Sequence, residues 1–139
     1  MSWGCVVMPK RAKPAISEAE SHVMELLWRS APQGSEELVV ALQPGTGWHE
    51  NTVRTLLNRL VRKGAVRAER DGRRYLYSPL LTREEWQAAE SRSLLDRVFG
   101  GKVAPLLVHF SRNEKLGKQD VAELRRLVDQ LEKKERRRD

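Results

Sequence analysis

Residues 48–80, WHENTVRTLLNRLVRKGAVRAERDGRRYLYSPL, constrain the fold more than any other part of the chain. Wrapped at about 100° per residue, Val53, Leu56, Leu57, Leu60 and Val61 fall on one side of a helix. Asn51, Thr55, Asn58, Arg59 and Arg62 fall on the other, with Arg54 at its edge. One face docks on a core while the other carries amide, hydroxyl and guanidinium groups, the types that read base edges and phosphates. Glu50 suits the positive end of the helix dipole, and Gly64 after Lys63 is the expected C-cap. Val66 and Ala68 then alternate with Arg67 and Glu69. Asp71-Gly72 supplies a tight turn, Tyr75 and Tyr77 share one face of a return strand, and Pro79 stops the ladder. A helix followed by a basic two-stranded hairpin is the sequence form of a winged helix-turn-helix.

Charge is placed to match. Trp48 to Ser78 holds eight basic residues (Arg54, Arg59, Arg62, Lys63, Arg67, Arg70, Arg73, Arg74) against three acidic ones, Glu50, Glu69 and Asp71, a net of +5. Ile16 to Gly47 has only Arg29 against Glu18, Glu20, Glu25, Glu36 and Glu37, a net of −4. The whole chain carries +7, so positive charge is concentrated on the helix and hairpin. Scattered basic residues usually mark a solvated face; clustering beside a wing points to nucleic acid.

Upstream, Ser17-x-x-Glu20 is a capping box for a first helix in which Ala19, Val23, Leu26 and Leu27 repeat at helical spacing, ending near Ser30 before Pro32. Ser35 is the expected cap of a second helix from Glu36 to about Gln43, with Leu38, Val39 and Leu42 inward and Pro44-Gly45 ending it. Residues 1–15 read as a flexible basic arm, with Met8 a candidate start. Residues 16–80 make a winged-helix DNA-binding domain. Residues 81–139 make a three-helix dimerisation region with a basic C-terminal tail. The expected fold is mainly α with a small β-wing.

In that last region Thr82-x-x-Glu85 starts a helix with Trp86, Ala89, Leu94, Val98 and Phe99 on its apolar side, broken by Gly100-Gly101. Val103, Leu106, Leu107 and Phe110 form a short apolar helix, and Ser111 to Gly117 a loop. Val121, Leu124, Leu127, Val128 and Leu131 stripe a final helix that frays into its basic tail. Three short helices cannot bury this much aliphatic surface among themselves. A second copy of the chain is favoured over folding back, because a single reading helix gains from two-fold symmetry on a palindrome.

At 139 residues, with 32% charged and 40% hydrophobic side chains, the composition is that of a folded protein. The densest apolar run, Val103 to Val108, is far short of a bilayer span and is broken by Pro105. The first fifteen residues are not a secretion signal, so a cytoplasmic location without membrane contact is expected. The single Cys5 excludes an internal disulfide and reads as an incidental thiol. His22, His49 and His109 lack metal-ligand spacing. Phosphate-loop, dinucleotide, nucleophile-elbow and metalloprotease motifs are absent. Neither catalysis nor a cofactor is expected. The rival function is a winged helix used for protein interaction; clustered arginine disfavours it, since protein interfaces deplete charge at their centre.

Trp48-x3-Thr52-Val53-Arg54-Thr55-Leu56-Leu57-x-Arg59-Leu60-x2-Lys63-Gly64, with Gly72-Arg73-x-Tyr75-x-Tyr77-x-Pro79, resembles the penicillinase-repressor family of bacterial transcriptional repressors, the BlaI/MecI/CopY group. The likeness runs from Ile16-Ser17-x-Ala19-Glu20 to Glu123-Leu124-Arg125. It implies a homodimeric repressor on inverted-repeat promoter operators, including those of β-lactam-resistance genes. It places Asn51, Thr52, Arg54 and Thr55 at DNA-contacting positions of the recognition helix, and Arg73 and Tyr75 in the wing. It also implies derepression by a sensor-linked protease cutting around Val108-His109-Phe110. His49 and Glu50 stand where relatives often carry Ser and Pro, and His109 where the cleaved branch tends to have Asn. The C-x-C pairs of the copper-responsive branch are missing. Within this frame Arg54 is the candidate for reading guanine and Thr55 for a thymine methyl. Arg59, Arg62, Lys63, Arg73 and Arg74 are candidates for phosphate contact.

Overall fold

The computed structural model describes residues 14–113 and 116–138, so most of the expected N-terminal arm, with Cys5 and Met8, lies outside the described residues. Two compact units divide the chain, Met1–Ser91 and Arg92–Asp139.

In the first unit, α1 (Glu18–Arg29) starts at the expected capping box: the Glu20 N–H donates to Ser17 Oγ at 3.1 Å, and the Ser17 N–H to Glu20 Oε1 at 2.9 Å. Next come β1 (Gln33–Gly34) and α2 (Ser35–Thr46). The sequence contained no signal for β1, because two residues are too few to display alternation. Ser35 turns out to be the first helical residue; Gly34 is the cap, its N–H donating to Glu37 Oε1 at 2.6 Å. A Cβ at Gly34 would stand 2.7 Å from Glu37 Oε1 and 3.0 Å from Arg74 Nη1, so a side chain there would make the ends of these two flexible side chains shift. The helix also runs three residues past Gln43, with Pro44 inside its last turn and Gly47 closing it. Pro44 and Val40 are both solvent-exposed, so water can serve the carbonyl that a proline leaves without a donor.

Helix α3 (Glu50–Lys63) buries Val53, Leu56, Leu57 and Leu60, and Gly64 closes it in the left-handed conformation as expected. Val61, assigned inward from its helical position, is 37% exposed, because the buried stripe is narrower than the apolar one. The wing is β2 (Val66–Asp71) and β3 (Arg74–Pro79), antiparallel, with Asp71 opposite Arg74. That register makes Gly72-Arg73 the tip, one residue later than the expected Asp71-Gly72; Gly72 supplies the positive φ of 67°. With β1 paired to β3 the sheet has three strands in the order β1-β3-β2. The core gathers Val23, Met24 and Leu27 of α1, Leu38 and Leu42 of α2, the inner stripe of α3, then Val66 and Leu81. Each such side chain, fully buried, contributes about 1.5–3 kcal/mol.

Next, α4 (Arg83–Val98) begins at a second capping box, the Thr82 N–H bonding Glu85 and the Glu85 N–H bonding Thr82, each at 3.0 Å. Its first turns belong to the winged-helix unit. Trp86 packs on the core with its ring 5.3 Å from that of Trp28, whose indole N–H donates to the Leu81 carbonyl at 2.8 Å. Arg83 lies over Trp28 and pairs with Glu25 at 2.6 Å. The division therefore falls after Ser91, although composition changes near residue 80.

The second unit comprises the end of α4, α5 (Val103–Asn113) and α6 (Lys118–Arg138), with Gly100-Gly101 breaking the chain where expected. Helix α5 takes in three residues expected to be loop, and α6 stays helical through its basic tail. Among its described residues only Leu95 is buried, while Leu94, Val98, Val103, Leu107, Val108, Phe110, Val121, Leu127, Val128 and Leu131 are exposed.

Candidate nucleic-acid interface

The outer face of α3 carries Asn51, Thr52, Arg54, Thr55, Asn58, Arg59, Arg62 and Lys63, all exposed. Hydrophobic anchoring sets that face: four buried side chains fix the rotation of the helix and leave the polar residues no other direction.

An open groove joins this face to the wing. Arg54 and Asn58 of α3 line it with Arg73, Arg74, Tyr75 and Tyr77 of the hairpin, with Ser35 and Glu36 at the start of α2, and with Glu50. Five of the proposed contact residues, Arg54, Asn58, Arg73, Arg74 and Tyr75, thus share one concavity. Tyr75 is exposed, with Arg70 directly across the strand pair and its guanidinium 5.9 Å from the ring. Tyr77 is partly buried against the core, the role a wing tyrosine more often has. Thr55 donates its hydroxyl to the Asn51 carbonyl at 2.9 Å, which leaves the methyl as the uncommitted part of its side chain.

Acidic partners shape the arginines in ways the sequence did not announce. Arg54 pairs with Glu50 at 2.6 Å, both more than half exposed, and Arg74 pairs with Glu37 at 3.2 Å, linking the wing to α2. At the flank of α3 away from Arg54, Lys63 and Arg59 reach back to Glu20, at 2.5 and 3.5 Å. Lys63 also donates to the Ala15 carbonyl at 2.9 Å. Glu20 has no accessible surface. Its burial alone would push the carboxyl up, but the Lys63 hydrogen bond, the Ser17 N–H and the Lys63 charge outweigh it and hold the pKa below the ordinary glutamate range. Glu20 was legible as a capping residue; nothing in the sequence marked it as a partner of Lys63.

Of the apolar residues assigned to a dimer, Trp86 is engaged within its own chain, and Leu106 and Leu124 are partly covered. Phe99 is partly covered too, its ring 6.2 Å from that of His109. Val108 and Phe110, on either side of His109, are exposed within α5. Among the described residues no helix is long and apolar enough to cross a membrane, and no group of three or more His, Cys, Asp or Glu is placed to hold a metal ion.

Three helices with a three-stranded sheet, a polar helix face and an arginine-lined groove beside it define a winged-helix DNA-binding protein. Residues 16–130 match the penicillinase repressor family. The penicillinase repressor of Bacillus licheniformis is 29% identical over 117 residues, covering 84% of this chain and 91% of the relative. That of Staphylococcus aureus is 29% identical over 119 residues, covering 86% and 94%. The solution structure of the DNA-binding domain of the repressor BlaI aligns with a TM-score of 0.50 at 31% identity, over 54% of this chain and 92% of that domain. The chain belongs to the penicillinase repressor family, a family of transcriptional repressors and not of enzymes.

Proposed function

We propose that the protein represses transcription as a homodimer on inverted-repeat operators, α3 of each copy lying in a major groove and the wing gripping the flanking backbone. The observation that carries this reading is the groove uniting Arg54 and Asn58 of the helix with Arg73, Arg74 and Tyr75 of the hairpin. Arg54 reads a base; Asn51, Thr52, Thr55 and Asn58 complete the reading face; Arg62, Arg73 and Arg74 hold phosphates. The exposed aliphatic stripes of α5 and α6 form the contact between copies, since surface of this kind is seldom left to water.

Repression is relieved when the copies separate. A sensor-linked protease cutting at Val108-His109-Phe110 would do this by removing α6 from the DNA-reading unit. The segment is exposed but helical, so α5 must unwind locally to enter a protease site. The names of the relatives favour resistance genes as targets.

A gel shift with DNA from upstream of the chain's own gene, against a scrambled duplex at two salt concentrations, tests the function. Sedimentation at micromolar concentration tests the assembly. Preference for the upstream DNA together with a dimer supports the reading; equal affinity for both duplexes, or a monomer at every concentration, contradicts it.

A further inference from the structure

The Glu50–Arg54 pair sits at the end of α3 that a recognition helix presents to base edges, its N-terminal turns. The two side chains touch at 2.6 Å, are more than half exposed, and both line the groove. Glu36 lines it as well, and Glu37 holds Arg74. The reading face therefore carries carboxylates among its arginines, an arrangement that uniform attraction to phosphate would not call for.

We propose that Glu50 is a specificity-determining residue that reads a base jointly with Arg54; this rests on the assignment of α3 to the major groove. A carboxylate only accepts hydrogen bonds, and a guanidinium only donates them. A C·G pair displays the complementary array in the major groove: the cytosine N4 amino group donates beside the guanine O6 and N7 acceptors. Since the carboxylate and guanidinium lie closer together than the roughly 3.4 Å rise between bases on a strand, the two side chains reach a single base pair or adjoining steps. Where the site offers neither the cytosine N4 nor the adenine N6 amino group, Glu50 finds no donor and stands near phosphates as an unsatisfied negative charge; of the two, only cytosine has guanine O6 and N7 as the paired acceptors for Arg54. The same residue thus rewards the correct site and penalises the wrong one.

Selection from a randomised duplex library, with the full-length protein and its Glu50→Ala and Glu50→Gln variants, tests the proposal. Glu50 is an exposed residue of the first helical turn, and a thermal melt verifies that each variant folds. The wild type should enrich a motif with a C·G pair in each half-site. Glu50→Ala should lower discrimination at that position about tenfold and raise affinity for scrambled duplex. Glu50→Gln should move the preferred base from cytosine to adenine, because an amide pairs with adenine N6 and N7. If both variants keep the wild-type base preference at every position, Glu50 only braces Arg54 and the proposal is overturned. If the wild type enriches no motif, the DNA-reading assignment itself fails and takes this proposal with it.

Discussion

Lys63, at the last turn of α3, places its ammonium 2.5 Å from the fully buried carboxylate of Glu20 in the first turn of α1. The carboxylate also accepts the Ser17 N–H, so one group closes the N-terminus of α1 and anchors the C-terminal end of α3. Helix α3 is thereby fixed in rotation by four aliphatic residues and pinned at its C-terminal end by an ion pair.

Acid should expose that pin. The pKa of Glu20 is lowered in the fold, so its contribution to stability is complete above the value for a free glutamate, roughly 4.3, and is lost as pH falls through the lower folded value. Glu20→Gln should reduce stability near neutral pH by about 1–3 kcal/mol and flatten the acid limb of stability against pH. Urea titrations across the acid range check this; an unchanged limb would remove Glu20 from the account.

Salt dependence should separate the basic residues. Arg73, at the wing tip, should lower the slope of log affinity against log salt by about 1 when changed to Ala. Lys63, expected from the sequence to touch phosphate, has its ammonium engaged by Glu20 and the Ala15 carbonyl, so Lys63→Ala should leave that slope nearly unchanged and lower thermal stability instead.

Arg54→Ala should cost roughly 1–3 kcal/mol in operator binding and relax preference at one position per half-site. Competition titrations with single-base operator variants measure this. An equal loss on every sequence would make Arg54 a phosphate contact.

Two kinds of apolar substitution should diverge. Trp86→Ala removes the partner of Trp28 and should destabilise the winged-helix unit by about 2–4 kcal/mol without changing oligomeric state. Val128→Glu, on an exposed stripe, should yield monomers and weaken operator binding by about two to four orders of magnitude while the melting of the winged-helix unit is kept.

The sequence conveyed the winged helix because its signals are local and repeated: Ser17-x-x-Glu20, the α3 stripe, Gly64 and the Thr82-x-x-Glu85 box each specify a few adjacent residues. Contacts distant in the chain were not legible. Glu20 with Lys63, Glu37 with Arg74, and Trp28 with Trp86 join residues that no short window contains together. The same limit explains β1, which exists only through pairing with Tyr77 and Leu76. It also explains Trp86, whose helical position fits either a dimer stripe or the core of its own chain. The wing tip slipped by one residue because Asp71-Gly72 and Gly72-Arg73 are both acceptable turns, and only the strand register decides between them.

Hydroxyl-radical footprinting of the full-length protein on its upstream DNA is the most direct measurement of the central claim. The account predicts two protected segments on one face of the duplex, related by a dyad and separated by about 10–10.5 base pairs or a multiple of that spacing. A single protected segment, or uniform protection without a dyad, would contradict it.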